Sequence, residues 1–336
     1  MFVYDPAFLS HVASEWHVER PERLTAVVEA LQRAGLWRGV ARPHPEDRHG
    51  LLLAHTGAYL DVLETGSVTV LDPETAVRPD TFAVARLAVG AAVEAARRAA
   101  SGRRPWFALV RPPGHHAGPD YGGGFCYLNN IAIAAARLLE SGVRRVAILD
   151  YDVHHGNGTA DIFRSDPRVL YVSTHQWGIY PGTGPAEDVG DGGARGFTVN
   201  VPFRAGCGDA SYIAAFDEVV APICSVFRPE VVLVSLGVDA HYRDPIAGLT
   251  LSSPGYVELF RRTVAGAKAW SGGRIAVVLE GGYHLAALGE VMAGAAGVVA
   301  GTEVPLVLSE ISDRECRGRD LIDHVRRVHG EFWNLR

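Results

Sequence analysis

Lysine is nearly missing from this chain: Lys268 stands alone, and arginine supplies every other basic side chain except histidine. Acidic residues outnumber Lys and Arg, 38 to 32, giving a formal charge of −6. That balance carries no basic footprint, so no nucleic-acid partner is expected. Cysteine is scarce. Cys126, Cys207, Cys224 and Cys316 are far apart and form no C-x-x-C pair, which argues against a disulfide framework and fits a reducing compartment. No apolar run reads as long enough to span a membrane. The N-terminal MFVYDPAFLSH has no basic stretch ahead of an apolar core, so no signal peptide is read. The expectation is a cytoplasmic protein without a membrane partner. There are no repeats and no low-complexity linker.

What the 336 residues do contain is enough apolar mass, 48%, for a large core. Short apolar runs rich in β-branched residues predict strands at 2–4, 107–110, 146–149, 169–173, 198–201, 231–236 and 275–279. Helical patterns lie between them, at about 21–34, 79–100, 128–140, 209–220, 254–270 and 285–299. In the clearest of these, Asp80 sits at the start, Arg97 and Arg98 in the last turn and Gly102 just past the end, as dipole and glycine-cap rules favour. After residue 300 a final loop and helix are expected. Alternating strands and helices predict one doubly wound α/β domain over residues 1–336, its central sheet mainly parallel and flanked by helices.

In such sheets ligands bind beyond the carboxyl ends of strands. Five predicted strands run there into RPPGHHAG, DYDVHHGNG, STHQWGIYPGTG, GVDAHYRDP and EGGYH, so one shared pocket is expected. Asp150, Asp152 and His154 stand two residues apart in VAILDYDVHHGNG and would share a side if the extended chain continued. Two carboxylates and an imidazole on one face are costly to bury unpaired. A divalent cation would satisfy them, and three protein ligands with an open position mark a catalytic zinc site. Asp152 and His154 supply two ligands. Asp239, just after VVLVSLG, is the best third, the alternative being a turn or helix cap. His115 and His116 follow a Pro-Pro-Gly turn and are either satisfied core histidines or the proton carriers that metal-assisted hydrolysis needs. Asp150 and Asn157 are the spare polar residues that would orient them. Tyr283 is either a core tyrosine or an oxyanion donor. Phe125 and Tyr180 either pack in the core or line a slot for an alkyl chain. Cys126, Asn129, Asn130 and His155 read as structural.

The stretches YDPAFLSH, ERPERL, RPPGHHA, GFCYLNNIAIAA, LDYDVHHGNGT, VSTHQWGIYPGTG, GVDAHYRDPIAGL and LEGGYH resemble, in order, those of zinc-dependent histone deacetylase-type deacylases of the arginase-like superfamily. The likeness covers residues 1 to about 300. It implies one zinc on Asp152, His154 and Asp239, His116 as the main general base and acid, and His115 paired with Asp150 as its electrostatic partner. Tyr283 would be the oxyanion donor. Gly124, Phe125, Tyr180 and Ile246 would line the substrate site. It also implies structural potassium on Asp150, Asp152, His154, Ser173 and Thr174, and a second potassium site at Phe163, Asp166, Val169 and Phe197. Asn157 stands where class I members carry aspartate, and GNGT is similar to class II enzymes, among which bacterial and archaeal proteins include acetylpolyamine amidohydrolases and acetoin-utilisation proteins. The implied substrate is an acylated lysine in a protein or peptide, or an acetylated polyamine. Ile246 lies where one polyamine-specific group has glutamate, which disfavours that form of gating, although Asp72 or Glu74 could place a carboxylate at the rim. A non-catalytic binder of acylated ligands is a third reading. The sequence leaves acyl length and oligomeric state open.

Overall fold

Aliphatic, β-branched runs set the strands. Residues 1–12, 16–102 and 104–335 are described in the computed structural model. Strand β1 (Phe2–Val3) is followed by α1 (Glu22–Arg33), β2 (Val40–Ala41), α2 (Arg48–Leu51) and α3 (Gly57–Thr65). A small antiparallel hairpin, β3 (Val70–Asp72) and β4 (Thr75–Ala76), leads into the long α4 (Thr81–Ser101). Then come β5 (Trp106–Ala108), α5 (Asn130–Glu140), β6 (Val146–Asp150), α6 (Asn157–Phe163), β7 (Val169–Gln176) and β8 (Thr198–Phe203). Helices α7 (Asp209–Ala215) and α8 (Ala221–Phe227) join through a π-helical turn at Phe216–Val220. The described chain ends with β9 (Val231–Leu236), α9 (Ser253–Ser271), β10 (Ile275–Leu279), α10 (Leu285–Ala300) and α11 (Arg319–His329).

Eight strands form one sheet in the order β2-β1-β5-β10-β9-β6-β7-β8, with every neighbouring pair parallel. β6, β8, β9 and β10 are buried at every residue. A strand covered on both faces has no solvent side, which is why these read as continuous apolar runs rather than as alternation. Helices α4, α5 and α9 lie against the central strands. The five strands expected to carry chemistry at their ends, β5, β10, β9, β6 and β7, are consecutive in the sheet. Parallel pairing brings their carboxyl ends to one edge.

The structure amends several sequence expectations. β7 runs on to Gln176, and the hairpin and helices α2, α3 and α6 had no sequence signal strong enough to read, each being only two to nine residues long. Gly102 follows α4 at φ −120°, in extended backbone, so it is not a left-handed cap. Gly272 and Gly301 close α9 and α10 in that way, at φ +66° each. Residues Asp209–Phe227 form one helical run of 19 residues that is long and apolar enough to cross a membrane by length and composition, against the expectation that no run is. Half of it is buried inside the protein. It packs on α9 and α11, and its outer face carries Asp217 and Glu218, paired with Arg262 and with Arg319 and Arg326.

A buried ion cluster ties the N-terminal segment to the loops at the sheet edge. Glu19 lies between Arg23 Nη1, at 3.1 Å, and Arg111 Nη2, at 2.8 Å, all three fully buried. Arg111 also donates to the carbonyls of Phe8 and His11, and Arg23 Nε to the carbonyl of Gly282 at 2.7 Å. Burial alone would raise the Glu19 pKa, but the charges of Arg111 and Arg23 outweigh it and bring it from 4.5 to about 2. A folded value below the unfolded one stabilises the protein above pH 4.5, and the contribution is lost as pH falls toward 2. Glu19→Gln is therefore expected to lower unfolding free energy at pH 7 by roughly 3–5 kcal/mol, the cost of removing one partner of a buried pair. Urea denaturation should find the gap to wild type narrower at pH 3; a gap independent of pH would contradict this origin.

Candidate active site

Strand β6 ends at Asp150, and residues 151–156 turn instead of continuing the pleat. The three side chains of DYDVH still converge, through side-chain turns. Asp150 Oδ1 accepts from the Asp152 amide at 3.2 Å, and Asp152 Oδ1 accepts from the His154 amide at 2.9 Å. Asp150 does not join the cation trio. Its Oδ2 faces His115 Nδ1 at 3.1 Å and accepts from the Tyr171 hydroxyl at 3.0 Å. Asp239, after β9, completes the trio. Ligand atoms of Asp152, His154 and Asp239 all lie within 4.8 Å of one another.

The trio fits a divalent cation. Asp239 Oδ1 accepts from the Val153 amide, but Oδ2 is buried without a hydrogen bond, 3.3 Å from His154 Nδ1. An uncompensated buried carboxylate oxygen is expensive and calls for positive charge. His154 answers in part. Burial opposes its cation, yet its hydrogen bond to Asp152 and the charges of Asp152 and Asp239 push its pKa up to about 10. Asp152, despite its burial, is held well below the usual carboxylate range by His115 and His154. An N,O,O set of this kind suits zinc. Gly237 and Gly281 make the cradle. A Cβ at Gly281 would fall 2.1 Å from Asp239 Oδ2 and 2.5 Å from Asp152 Oδ2, and one at Gly237 would fall 2.1 Å from Asp152 Oδ2.

Beside the trio stand the two histidines, both buried, with ring centroids 4.0 Å apart. Burial disfavours the His115 cation, but Asp152 and Asp150 outweigh it and raise its pKa to about 10. His116 goes the other way: burial, then the neighbouring His115 and His154, hold it well below 6.5. One carries charge and the other stays neutral, the split an acid–base pair needs. His116 Nδ1 meets Asn157 Oδ1 at 2.7 Å. Helix α6 delivers Asn157 by lying against the histidine loop at Gly158, where a Cβ would reach the Ala117 carbonyl carbon and oxygen at 2.3 Å.

A cavity of about 280 Å³ opens above these groups, lined by His115, His116, His154 and Tyr283 and walled by Gly124, Phe125, Tyr180 and Ile246. Tyr283 is held by its amide, which donates to Asp244 Oδ2 at 2.7 Å, and by Arg23 stacked 4.9 Å from its ring. Its hydroxyl has no hydrogen-bond partner among the described residues. The Phe125 ring lies 5.8 Å from Tyr283 and 4.6 Å from His17. Phe125 sits at φ +69°, an uncommon backbone state for a non-glycine residue and one found at clamps and binding sites. The residues expected to hold potassium are also neighbours. Asp150 is in register with Ser173, and Thr174 Oγ1 donates to the Asp150 carbonyl. Phe163, Asp166 and Val169 form one turn through successive backbone bonds, and the Phe197 carbonyl accepts from the Tyr171 amide nearby on β7.

The histone deacetylase domain profile matches residues 17–299. The chain belongs to the histone deacetylase family. This deacetylase is 39% identical over 350 residues to a probable deacetylase of Archaeoglobus fulgidus, spanning 98% of both chains. It is 37% identical to histone deacetylase 15 of Arabidopsis thaliana, over 98% of this chain and 62% of that one. The crystal structure of the HDA15 HD domain superposes with a TM-score of 0.90 at 35% identity, covering 99% of this chain and 94% of that chain. Family membership supports a deacetylase, and so a hydrolase, function.

Sequence reading missed several residues of the deacetylase site. Glu280 is fully buried and accepts from the Gly114 and His115 amides and from Ser235 Oγ. Burial raises its pKa to about 7, against the pull of His115. A charged residue directly after the buried strand VVL was the available signal. Val18 and Ile179 line the cavity from loops without any pattern, while Glu74, expected as a possible rim carboxylate, lines it too. The cradle yields a prediction. Gly281→Ala should leave a folded protein that binds little zinc after dialysis, read by elemental analysis; one zinc per chain in that variant would show that the trio is not where the metal sits.

Proposed function

We propose that this deacetylase hydrolyses the amide of N-acyl-lysine side chains, releasing acetate or a longer acid and the free amine, with one zinc ion per chain on Asp152, His154 and Asp239. The observation that carries the reading is the trio itself: an N,O,O set with an orphaned carboxylate oxygen, at the base of a cavity that also holds two histidines of opposite charge preference and a tyrosine. Bound there, zinc supplies Lewis acidity that polarises the scissile carbonyl and brings the pKa of the attacking water toward about 7.

The remaining steps belong to the chain. His116 is neutral, and with Nδ1 engaged by Asn157 its Nε2 is left to take the water proton and return it to the departing amine. His115, paired through Nδ1 with Asp150 Oδ2, steadies negative charge as it develops. The Tyr283 hydroxyl donates to the oxyanion. Phe125 and Tyr180 hold the alkyl stem in the 280 Å³ cavity. Structural potassium at the two sites named above, a single catalytic domain over residues 1–336 and a cytoplasmic setting complete the proposal.

One observation favours a second substrate class. Glu74 lines the cavity, so a carboxylate is within reach of a cationic tail such as that of an acetylated polyamine. Against it, Ile246 presents an apolar side chain to the same cavity. Turnover of an acetyl-lysine peptide and of acetylspermidine, measured side by side on the zinc-loaded protein, decides. The peptide is expected to be the better substrate by kcat/KM, and a preference for acetylspermidine would overturn the lysine assignment. His116→Ala and Tyr283→Phe are each expected to lower kcat by about 100-fold or more while leaving the fold intact. Wild-type turnover by either would remove that residue from the mechanism.

A further inference from the structure

Helix α6 carries a second polar residue on the face that meets the histidine loop. Asn157 and Asp161 are four residues apart, one helical turn, so their side chains lie side by side. Between them sits the hydroxyl of Tyr121, from the loop after the histidine pair. Asn157 Nδ2 donates to the Tyr121 oxygen at 3.0 Å, and the Tyr121 hydroxyl donates to Asp161 Oδ2 at 2.5 Å. The chain of contacts runs from His116 Nδ1 through Asn157 and Tyr121 to a solvent-exposed carboxylate. Tyr121 reaches this place by lying flat on residue 118, where only glycine fits: a Cβ there would fall 2.2 Å from the tyrosine ring.

The direction of this chain follows from donor counting. A carboxylate only accepts, so the one hydroxyl hydrogen of Tyr121 goes to Asp161. The Tyr121 oxygen must then accept, so Asn157 presents its NH2 to it. The carboxamide oxygen of Asn157 is left facing His116, and it can only accept, so the hydrogen of the neutral imidazole sits on Nδ1. Taken alone, the Asn157 carboxamide has no preferred direction, because turning it by 180° exchanges donor and acceptor. The turned amide would offer NH2 to His116 Nδ1, move the imidazole hydrogen to Nε2, and leave the ring unable to act as a base in the cavity.

We propose that Asp161 and Tyr121 are positioning residues for the reaction: through a one-way hydrogen-bond chain they fix the Asn157 carboxamide and so hold His116 in the Nδ1–H tautomer with a basic Nε2. Neither residue lines the cavity, and neither touches a reacting atom. The device sets the tautomer from an exposed carboxylate three links away, without a second negative charge beside His116. The inference rests on His116 being the general base of the proposed function.

The test uses zinc-loaded protein labelled with ¹⁵N-histidine. Long-range ¹H–¹⁵N spectra report which ring nitrogen carries the hydrogen, and the His116→Ala spectrum identifies the His116 signals. Wild type is expected to show the Nδ1–H form. Asp161→Asn lets the hydrogen-bond chain run in either direction and Tyr121→Phe breaks it, so each should shift His116 toward a mixture of tautomers. Each should also lower kcat by about 10-fold with KM unchanged, the scale of losing an orienting partner. The double variant should lose no more than the worse single one, since both act through one chain. His116 signals identical to wild type in both single variants overturn the proposal, even if activity falls, because such a loss would be structural. The spectra need no substrate. A protein inactive on acyl-lysine would therefore count against the proposed function, while the tautomer measurement still decides the relay.

Discussion

Two buried carboxylates and an imidazole at the edge of a parallel sheet demand a positive charge, and the surrounding structure is arranged around that demand. Asp239 keeps a buried oxygen without a hydrogen bond, and His154 has its cation favoured by the two acids on either side. In a dry interior such a set is unfavourable unless a cation or a proton satisfies it. The same field makes His115 cationic, and His115 in turn helps keep His116 neutral. The charge states of the two candidate proton carriers thus follow from burial together with this field.

Backbone architecture puts the field where a substrate can reach it. Five consecutive parallel strands bring their carboxyl ends to one edge, and the loops they feed carry nearly every polar group of the site. Close approach is secured by glycines at 237, 281 and 158, each at a point where a methyl group would strike a carboxylate or a carbonyl. The Glu19, Arg23 and Arg111 cluster anchors the loops from behind, with Arg23 bonded to the backbone of the segment that carries Tyr283. Stability and site geometry are joined here, since the contacts that hold the fold together at this edge also aim the side chains.

Much of this was legible in the sequence, for reasons that can be named. Strands such as Val231–Leu236 and Ile275–Leu279 are buried on both faces, and that burial is what makes an apolar run readable. The α/β class and the family followed from strand–helix alternation and from motifs in order. The meeting of Asp152, His154 and Asp239 was anticipated, but by the wrong local route. The pleat stops at Asp150, side-chain turns do the aligning, and Asp150 itself turns to His115. What escaped was set by tertiary approach. Glu280 supports the histidine loop from just beyond a strand that is distant in sequence, and Tyr121 meets α6 only because residue 118 lacks a side chain. The Asp209–Phe227 run also misled, because acids on its outer face broke the apolar count while its inner face packed on α9.

The central claim is that one zinc ion sits on an imidazole and two carboxylates at the sheet edge. Diffraction from crystals of the zinc-loaded protein, recorded on both sides of the zinc absorption edge, tests it most directly. The account predicts one strong anomalous peak per chain, within bonding distance of His154, Asp152 and Asp239. No zinc peak at this trio, or a peak held by other residues, would contradict it.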